Sequence, residues 1–498
     1  RRLWLHRRIA QAIELVYSDP AAVGLAAQVA QHYERGGQPL IALEWIVRAV
    51  QDFHHHARYE EALQWATKGL ELLQTLVGRL PARKHQELEH LLMEHRVELL
   101  LRLGQLAEAE AALRLLSERA SSKARVHLFR ADLFERLGKY TEKLAEAQAA
   151  LELFRAAHDR AGEAQALLER SLAFYYLGDL TEASLGFEQV LQISSDPEDR
   201  LGALENLALI ARKRGDLSAA ERLVEEALHL ATKHQLIERE SDIWYTRGTI
   251  AWQRGRYSDA CEDFHHAAQI CQALGDRYSM AYALLNHAIA LSSLGSYRQA
   301  FALAQQAEAL FVELGNVAAR ATAKRLLGNL LGALGEFELA RSTLEEALQL
   351  CKDDPRRQGE CFVALAELAL AQQAQEEALS FAQRALDLAL RYAHSPFPRG
   401  RIVLAEVLLV CGKYEDALEH SQLAINELHN WGGEPLIRAH YLKYRALRAL
   451  NRPEALEVLR AAQQELLRTA NQITDPSLRT SFLEIPLHRE ILAESSRA

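Results

Sequence analysis

Apolar residues recur three and four positions apart along most of the chain, as in Leu344-Glu-Glu-Ala347-Leu348-Gln-Leu350. That spacing gathers them on one helical face, so the pattern predicts amphipathic α-helices that pack on one side and meet water on the other. A turn signature punctuates the helical runs: Gly, an apolar or aromatic residue two positions later, and Ala five positions later. It reads Gly178-Asp-Leu180-Thr-Glu-Ala183, Gly215-Asp-Leu217-Ser-Ala-Ala220, Gly255-Arg-Tyr257-Ser-Asp-Ala260 and Gly295-Ser-Tyr297-Arg-Gln-Ala300. Gly335-Glu-Phe337-Glu-Leu-Ala340 and Gly412-Lys-Tyr414-Glu-Asp-Ala417 continue it. Weaker copies begin at Gly104, at Gly138 (with Lys143 in place of the Ala) and at Gln373. Successive turns lie 34, 40, 37, 40, 40, 40, 38 and 39 residues apart, the mark of a repeat architecture.

Two helices per repeat explain the small residues. Seven positions before the turns stand Val97, Ala131, Ser171, Ala208, Gly248, Ala288, Gly328, Ala366 and Ala405. Twelve positions after, Ala recurs at Ala150, Ala227, Ala267, Ala307, Ala347, Ala385 and Ala424. Larger side chains there would overpack a close helix crossing, at a typical cost of about 1–3 kcal/mol. This arrangement resembles the tetratricopeptide motif, with a period longer than its usual ~34 residues. The expected fold is all-α, a right-handed superhelical solenoid of such hairpins. Breaks at Ser194-Ser195-Asp196-Pro197, Asp353-Asp354-Pro355 and Ser395-Pro396-Phe397-Pro398 separate neighbouring hairpins, and the array reads as continuous.

Both ends depart from the register. Residues 1–80 read as a junction and N-terminal capping helices, with helical spans Ala22–Arg35, Pro39–Phe53 and Tyr59–Leu76. Residues 81–433 form the repeat array. Residues 434–498 read as an altered hairpin, Glu434–Leu450 with Pro453–Ala470, and a C-terminal cap whose Leu478, Phe482 and Leu483 cover the last repeat. The chain starts without Met and directly in helical pattern, as expected of a piece of a longer protein.

Composition narrows the function. Formal charge is −9, from 58 basic and 67 acidic residues, which does not suit direct nucleic-acid binding. No apolar run is long enough to span a bilayer, so no membrane partner is expected. The five cysteines form no CxxC pair and read as small buried side chains in a reducing cytoplasm. No phosphate loop, GxGxxG, HExxH, GxSxG or EF-hand loop occurs, so no catalytic residue, cofactor or metal is expected. His54-His55-His56 reads as a solvated turn, because adjacent helical residues point in different directions.

The remaining candidate is the groove lined by the first helix of each hairpin. By register that face carries Glu205, Asn206, Arg212, Tyr245, Thr246, Trp252, Asn286, Arg325, Asn329, Glu367 and Glu406. Arg212, Tyr245, Trp252, Asn286, Arg325 and Asn329 offer aromatic stacking and bidentate donors suited to an acidic peptide or a small polar ligand.

Near the N-terminus, Leu5-His6-Arg7-Arg8-Ile9-Ala10-Gln-Ala12-Ile13-Glu14 is followed by Ala27-Gln-Val-Ala30-Gln-His32-Tyr33-Glu34-Arg35-Gly36-Gly37 and Ala42-Leu43. The stretch resembles the junction between the ATPase modules and the C-terminal repeat array of STAND-class signalling ATPases. That class includes large LuxR-type and maltose-activator-like bacterial regulators. Asp475-Pro476-Ser-Leu478-Arg-Thr-Ser-Phe482-Leu483 is similar to the end of such arrays. The resemblance implies a cytoplasmic, non-enzymatic sensor domain that binds a protein, peptide or small inducer in its groove and regulates an upstream ATPase domain. The alternative is a free-standing scaffold or peptide receptor.

Overall fold

A computed structural model describes residues 1–15, 24–56, 58–119, 123–392, 397–428 and 430–497. Among them are 26 α-helices, α1 (Arg2–Glu14) to α26 (Pro486–Ser495), and no strand. The protein is an all-α solenoid of paired helices. It divides into two compact units, Arg1–Asn206 and Leu207–Ala498. The boundary falls inside α11 (Pro197–Lys213), and the repeat spacing passes through it unmarked.

The Gly-Asp pair of the signature closes one helix and opens the next. Gly178 ends α9 (Arg160–Leu177) at φ 89°, in the left-handed region that glycine enters without steric penalty. Asp179 then starts α10 (Leu180–Ile193), its carboxylate accepting the backbone N–H groups of Thr181 and Glu182. Asp216 caps α12 (Leu217–His234) in the same way through Ala219. Pro355 and Pro398 each take the first position of a helix, α19 (Pro355–Ala371) and α21 (Pro398–Val410), where a missing N–H costs nothing. Ser395 and Pro396, at the third sequence break, lie outside the described residues, as do Ala22 and Val23; α2 (Leu25–Arg35) is described from Leu25.

The small positions are where the helices touch. Val97, Ala131, Ser171, Ala208, Ala288, Ala366 and Ala405 are fully buried. A Cβ on Gly248 would come within 2.9 Å of the Phe264 ring, and one on Gly328 within 2.6 Å of Leu344. Lys143 breaks the Ala pattern in α8 (Tyr140–Ala156), yet it is completely buried. Its ammonium donates to Glu135 at 2.6 Å and to Glu169, on α7 (Lys123–Arg136) and α9. Three helices therefore share one buried charge cluster.

In the second unit the hairpins run α13 (Ile237–Gln253) with α14 (Tyr257–Leu274), α15 (Arg277–Ser293) with α16 (Tyr297–Glu313), and α17 (Val317–Ala333) with α18 (Phe337–Leu350). They continue as α19 with α20 (Gln375–Tyr392), α21 with α22 (Tyr414–Glu427), and α23 (Glu434–Ala449) with α24 (Ala455–Gln472). Each odd-numbered helix from α13 to α21 also packs on the next odd-numbered one, which puts these first helices on the inner side of the curvature. Cys351, at the end of α18, meets Cys361 of α19 across the intervening turn, both buried, with sulfurs 3.8 Å apart.

The second unit then closes on itself. Residues after α22 return to three consecutive hairpin turns more than 170 positions upstream. Gly432 N–H donates to the Gln253 carbonyl at 2.9 Å, and Glu434 N–H to the Tyr257 hydroxyl at 2.7 Å. A guanidinium nitrogen of Arg468 reaches the Arg254 carbonyl at 3.3 Å. The Phe482 ring lies 6.3 Å from that of Tyr257, and both side chains are buried. Leu478, Phe482 and Leu483, on or beside α25 (Pro476–Glu484), do pack with α23 and α24 residues such as Tyr441 and Leu466. The same core includes Tyr257, Leu285, Ala288 and Leu294. Periodicity marks which face is apolar, but not a partner two hundred residues away.

Candidate ligand groove

The inner helices of the second unit carry two polar groupings. In the first, the Asn286 amide on α15 donates to the Tyr245 hydroxyl on α13 at 2.9 Å and to the Tyr282 carbonyl at 3.0 Å. Burial raises the Tyr245 hydroxyl pKa; the Asn286 hydrogen bond and the nearby Arg212 charge act against that rise. Arg212 itself is half-buried, and its Nε has neither solvent nor a hydrogen-bond partner. Helices α13 and α15 thus join Tyr245 and Asn286 by a hydrogen bond, and the Arg212 charge on α11 acts on the same hydroxyl.

The other expected groove residues are placed differently. Trp252 donates from its indole nitrogen to Ser293 Oγ at 3.1 Å, and its ring stands edge-on to Trp431, 6.0 Å away. The returning segment therefore covers part of it. Arg325 pairs with Glu360 at 3.2 Å, its side chain only 12% exposed. Asn329 is half-buried one helical turn beyond Arg325. Glu205 and Asn206 belong to the first unit, where the Asn206 amide donates to the Gly202 carbonyl.

The second grouping is ionic. Arg438 on α23 donates to Glu367 at 2.7 Å and binds Glu406, while Arg399 donates to the other Glu367 oxygen at 2.8 Å. Burial alone would raise the Glu367 pKa, but the Arg399 and Arg438 charges pull it down to about 2. Glu434, close to the same arginines without displacing their partners, has its pKa raised by burial. Glu367 and Glu406 were expected on this face; Arg399 and Arg438 were not. The signal was present, because both the glutamates and the arginines are separated by the local repeat length of 39 residues. Like charges thus repeat in register, and opposite charges interleave.

Where the returning segment meets the hairpin turns, a cavity of about 520 Å³ opens, lined by Arg214, Arg254, Trp431, Glu465 and Arg468 among others. Glu465 is committed within this wall: it accepts from Gly433 N–H at 2.7 Å and from the Arg468 guanidinium. Arg254 donates to Ser218 at 2.6 Å. Nothing in residue register places this cavity, because it forms only when the chain returns.

Stacked hairpins with small residues at their crossings and polar side chains on an inner helix layer define a helical-repeat interaction fold. Tetratricopeptide-repeat family models match residues 200–234, 239–311 and 319–391, so the chain carries tetratricopeptide repeats there, a protein-interaction architecture. It is 30% identical over 112 residues to the photosystem I assembly protein Ycf3 of Synechococcus sp. (strain WH7803), a match covering 22% of this chain and 65% of that protein. The chain thus spans just under two thirds of the length of this curated relative. Among solved structures, a Rap protein complexed with competence and sporulation factor shares 13% identity at a TM-score of 0.47, over 67% of this chain and 98% of that one. A STAND protein with a tetratricopeptide repeat sensor from Pyrococcus horikoshii shares 12% identity at a TM-score of 0.46, over 76% of this chain and 55% of that one. Among the described residues no helix is long and apolar enough to cross a membrane.

Proposed function

We propose that this chain is the sensor and protein-interaction domain of a STAND-class bacterial signalling regulator, and that its inner helices bind a carboxylate-bearing ligand, either an acidic peptide or a small polar inducer. The observation that carries the binding reading is the Arg212–Tyr245–Asn286 grouping, which helix stacking does not require and which leaves a buried guanidinium N–H unpaired. A carboxylate bound against the Tyr245–Asn286 face would lie in the field of the Arg212 charge, and a turn of that side chain would let the idle N–H donate to it in a charge-assisted hydrogen bond. The regulator reading is supported by the N-terminal residues Leu5–Glu14 and Ala27–Leu43 and their likeness to the junction of that class. A ligand switches such a domain by binding one hairpin curvature better than another.

Thermal-shift titration of the chain with panels of acidic peptides and small metabolites tests the reading. A ligand that binds only the folded state raises Tm with dose, and Arg212→Ala and Asn286→Ala should each remove that rise. Arg325→Glu is a poorer probe, since it would set two carboxylates together at Glu360. If no member of the panels shifts Tm, and a protein partner from cell extract is retained equally by wild type and Arg212→Ala, the groove reading fails and the scaffold alternative stands.

A further inference from the structure

His54 stands at the end of α3 (Pro39–His55), while His95 and Glu98 lie three residues apart, hence on one face, on α5 (Ala82–Arg102). One ligand atom from each of the three falls within 4.8 Å of the others. His54 Nε2 is 3.3 Å from Glu98 Oε1, and the two imidazole rings are 6.2 Å apart at 71°. His95 Nε2 is buried and has no hydrogen-bond partner, in a ring that stands beside a carboxylate and a second imidazole. We propose that His54, His95 and Glu98 form a binding site for a divalent transition metal of the zinc class, with a fourth coordination position open to water or to a partner's side chain.

Two imidazoles and one carboxylate are a donor set that zinc accepts, with bonds of about 2.0–2.2 Å. Tetrahedral bonds of that length place ligand atoms about 3.4 Å apart, so the present cluster must contract. His54 and Glu98 have side-chain exposures of 23% and 32%, so neither is locked by complete burial. Burial lowers the His95 pKa, against the nearby glutamates Glu98 and Glu94, and so keeps it in the neutral form that binds metal. Two cations face the cluster. Arg102 reaches Glu98 at 3.5 Å but is itself 46% exposed, so that pair is weak. Arg125 is held by Glu94 at 2.8 Å. The neighbouring histidines take no part: His56 Nδ1 is 2.8 Å from the Asp52 carbonyl oxygen, and His55 stands edge-on to His56. His54 therefore works with residues forty positions away rather than with its own triplet.

Calorimetric titration of the metal-stripped full chain with zinc chloride tests the site, alongside visible absorption of the cobalt(II) form. One equivalent should bind tightly, and cobalt should give the intense bands of a four-coordinate site. His95→Ala and Glu98→Gln should each weaken binding at least about 100-fold, the upper end of what losing even an outer-shell partner costs. His55→Ala/His56→Ala should bind as wild type does. Zinc should raise the Tm of wild type and of that double variant only. If His95→Ala fails to fold, Glu98→Gln, on the solvent-facing rim, carries the same comparison. Unchanged affinity in Glu98→Gln, loss in His55→Ala/His56→Ala, or no tight equivalent in wild type would each overturn the proposal.

Discussion

Single residues show where the repeat rule yields to local chemistry. Lys143 occupies an Ala position, and its buried ammonium is tolerated because Glu135 and Glu169 flank it. Lys143→Ala restores the repeat pattern but leaves two carboxylates facing each other. Breaking a fully buried pair costs roughly 3–5 kcal/mol, and because both carboxylates keep 29% of their side-chain exposure the loss here should lie at or below the low end of that range. Urea unfolding should show a loss of that order, and adding Glu169→Leu should recover more than half of it; additive losses would mean that the three groups do not act as a cluster. His488 gives a pH prediction. Its Nδ1 lies 2.6 Å from the Phe482 carbonyl, which can only accept, so Nδ1 carries the proton of a neutral ring. Burial lowers its pKa to about 4. The unfolded ring titrates near 6.5, so below that pH the unfolded state takes up a proton that the folded state refuses. Stability from this group is whole above pH 6.5 and is lost progressively down to about pH 4, with about 2 kcal/mol gone between pH 7 and pH 5. The pH dependence of unfolding should flatten by that amount in His488→Asn. Equal slopes in wild type and variant would show that the ring is not held neutral.

At the scale of helices and turns, most of the architecture was legible. The spans Pro39–Phe53 and Tyr59–Leu76 appear as Pro39–His55 and Tyr59–Thr75, and the paired helices from α5 to α22 follow the turn signature, with Gln373 at φ 61° standing in for Gly between α19 and α20. The signature is local, so it reports a turn without saying what lies against it. Gly255 and Gly335 look alike in sequence and have φ of 77° and 85°. A Cβ on Gly335 would meet nothing within 4 Å, whereas one on Gly255 would lie 2.7 Å from the Gly433 nitrogen and 2.8 Å from its Cα. Gly335→Ala should therefore cost only the left-handed backbone penalty, about 1–2 kcal/mol. Gly255→Ala adds a backbone clash that no side-chain rotation relieves. Chemical denaturation should rank it at least about twofold more costly than Gly335→Ala; equal costs would mean that the returning segment does not press on this turn. The candidate groove was legible in the same partial way. Register placed Arg212, Tyr245 and Asn286 on successive inner helices, but it could not foresee that Trp431 would cover Trp252 or that Glu360 would engage Arg325.

For the molecule as a whole, the return of the chain onto its own hairpins decides which repeats stabilise one another. In an open stack each hairpin meets only its neighbours, and stability is a sum of nearest-neighbour terms. The second unit departs from that rule, because Phe482, buried against Tyr257 and His488, belongs to the same core as α14 and α15 residues. The Gly295 turn is likewise pressed by Ser481 and Ile485 of the last helices. Removing residues 476–498 would uncover the side of the Tyr257 ring that faces Phe482, and the Gly295 turn, although no sequence neighbour of either is touched. Burying a large apolar side chain is worth about 1.5–3 kcal/mol, and here several are lost together. Hydrogen exchange on the truncated chain should therefore show faster opening at two separated places, α23–α24 and α14–α16. Each compact unit has its own core, so amides of Arg1–Asn206 should keep their protection. Faster exchange confined to residues 434–475 would mean that the closure is incidental and that the repeats behave as an ordinary open array. Loss of protection at both places would make α14–α16 and the last two hairpins one cooperative element, so that a ligand ordering the Tyr245–Asn286 face would also tighten helices that follow it in sequence by two hundred residues.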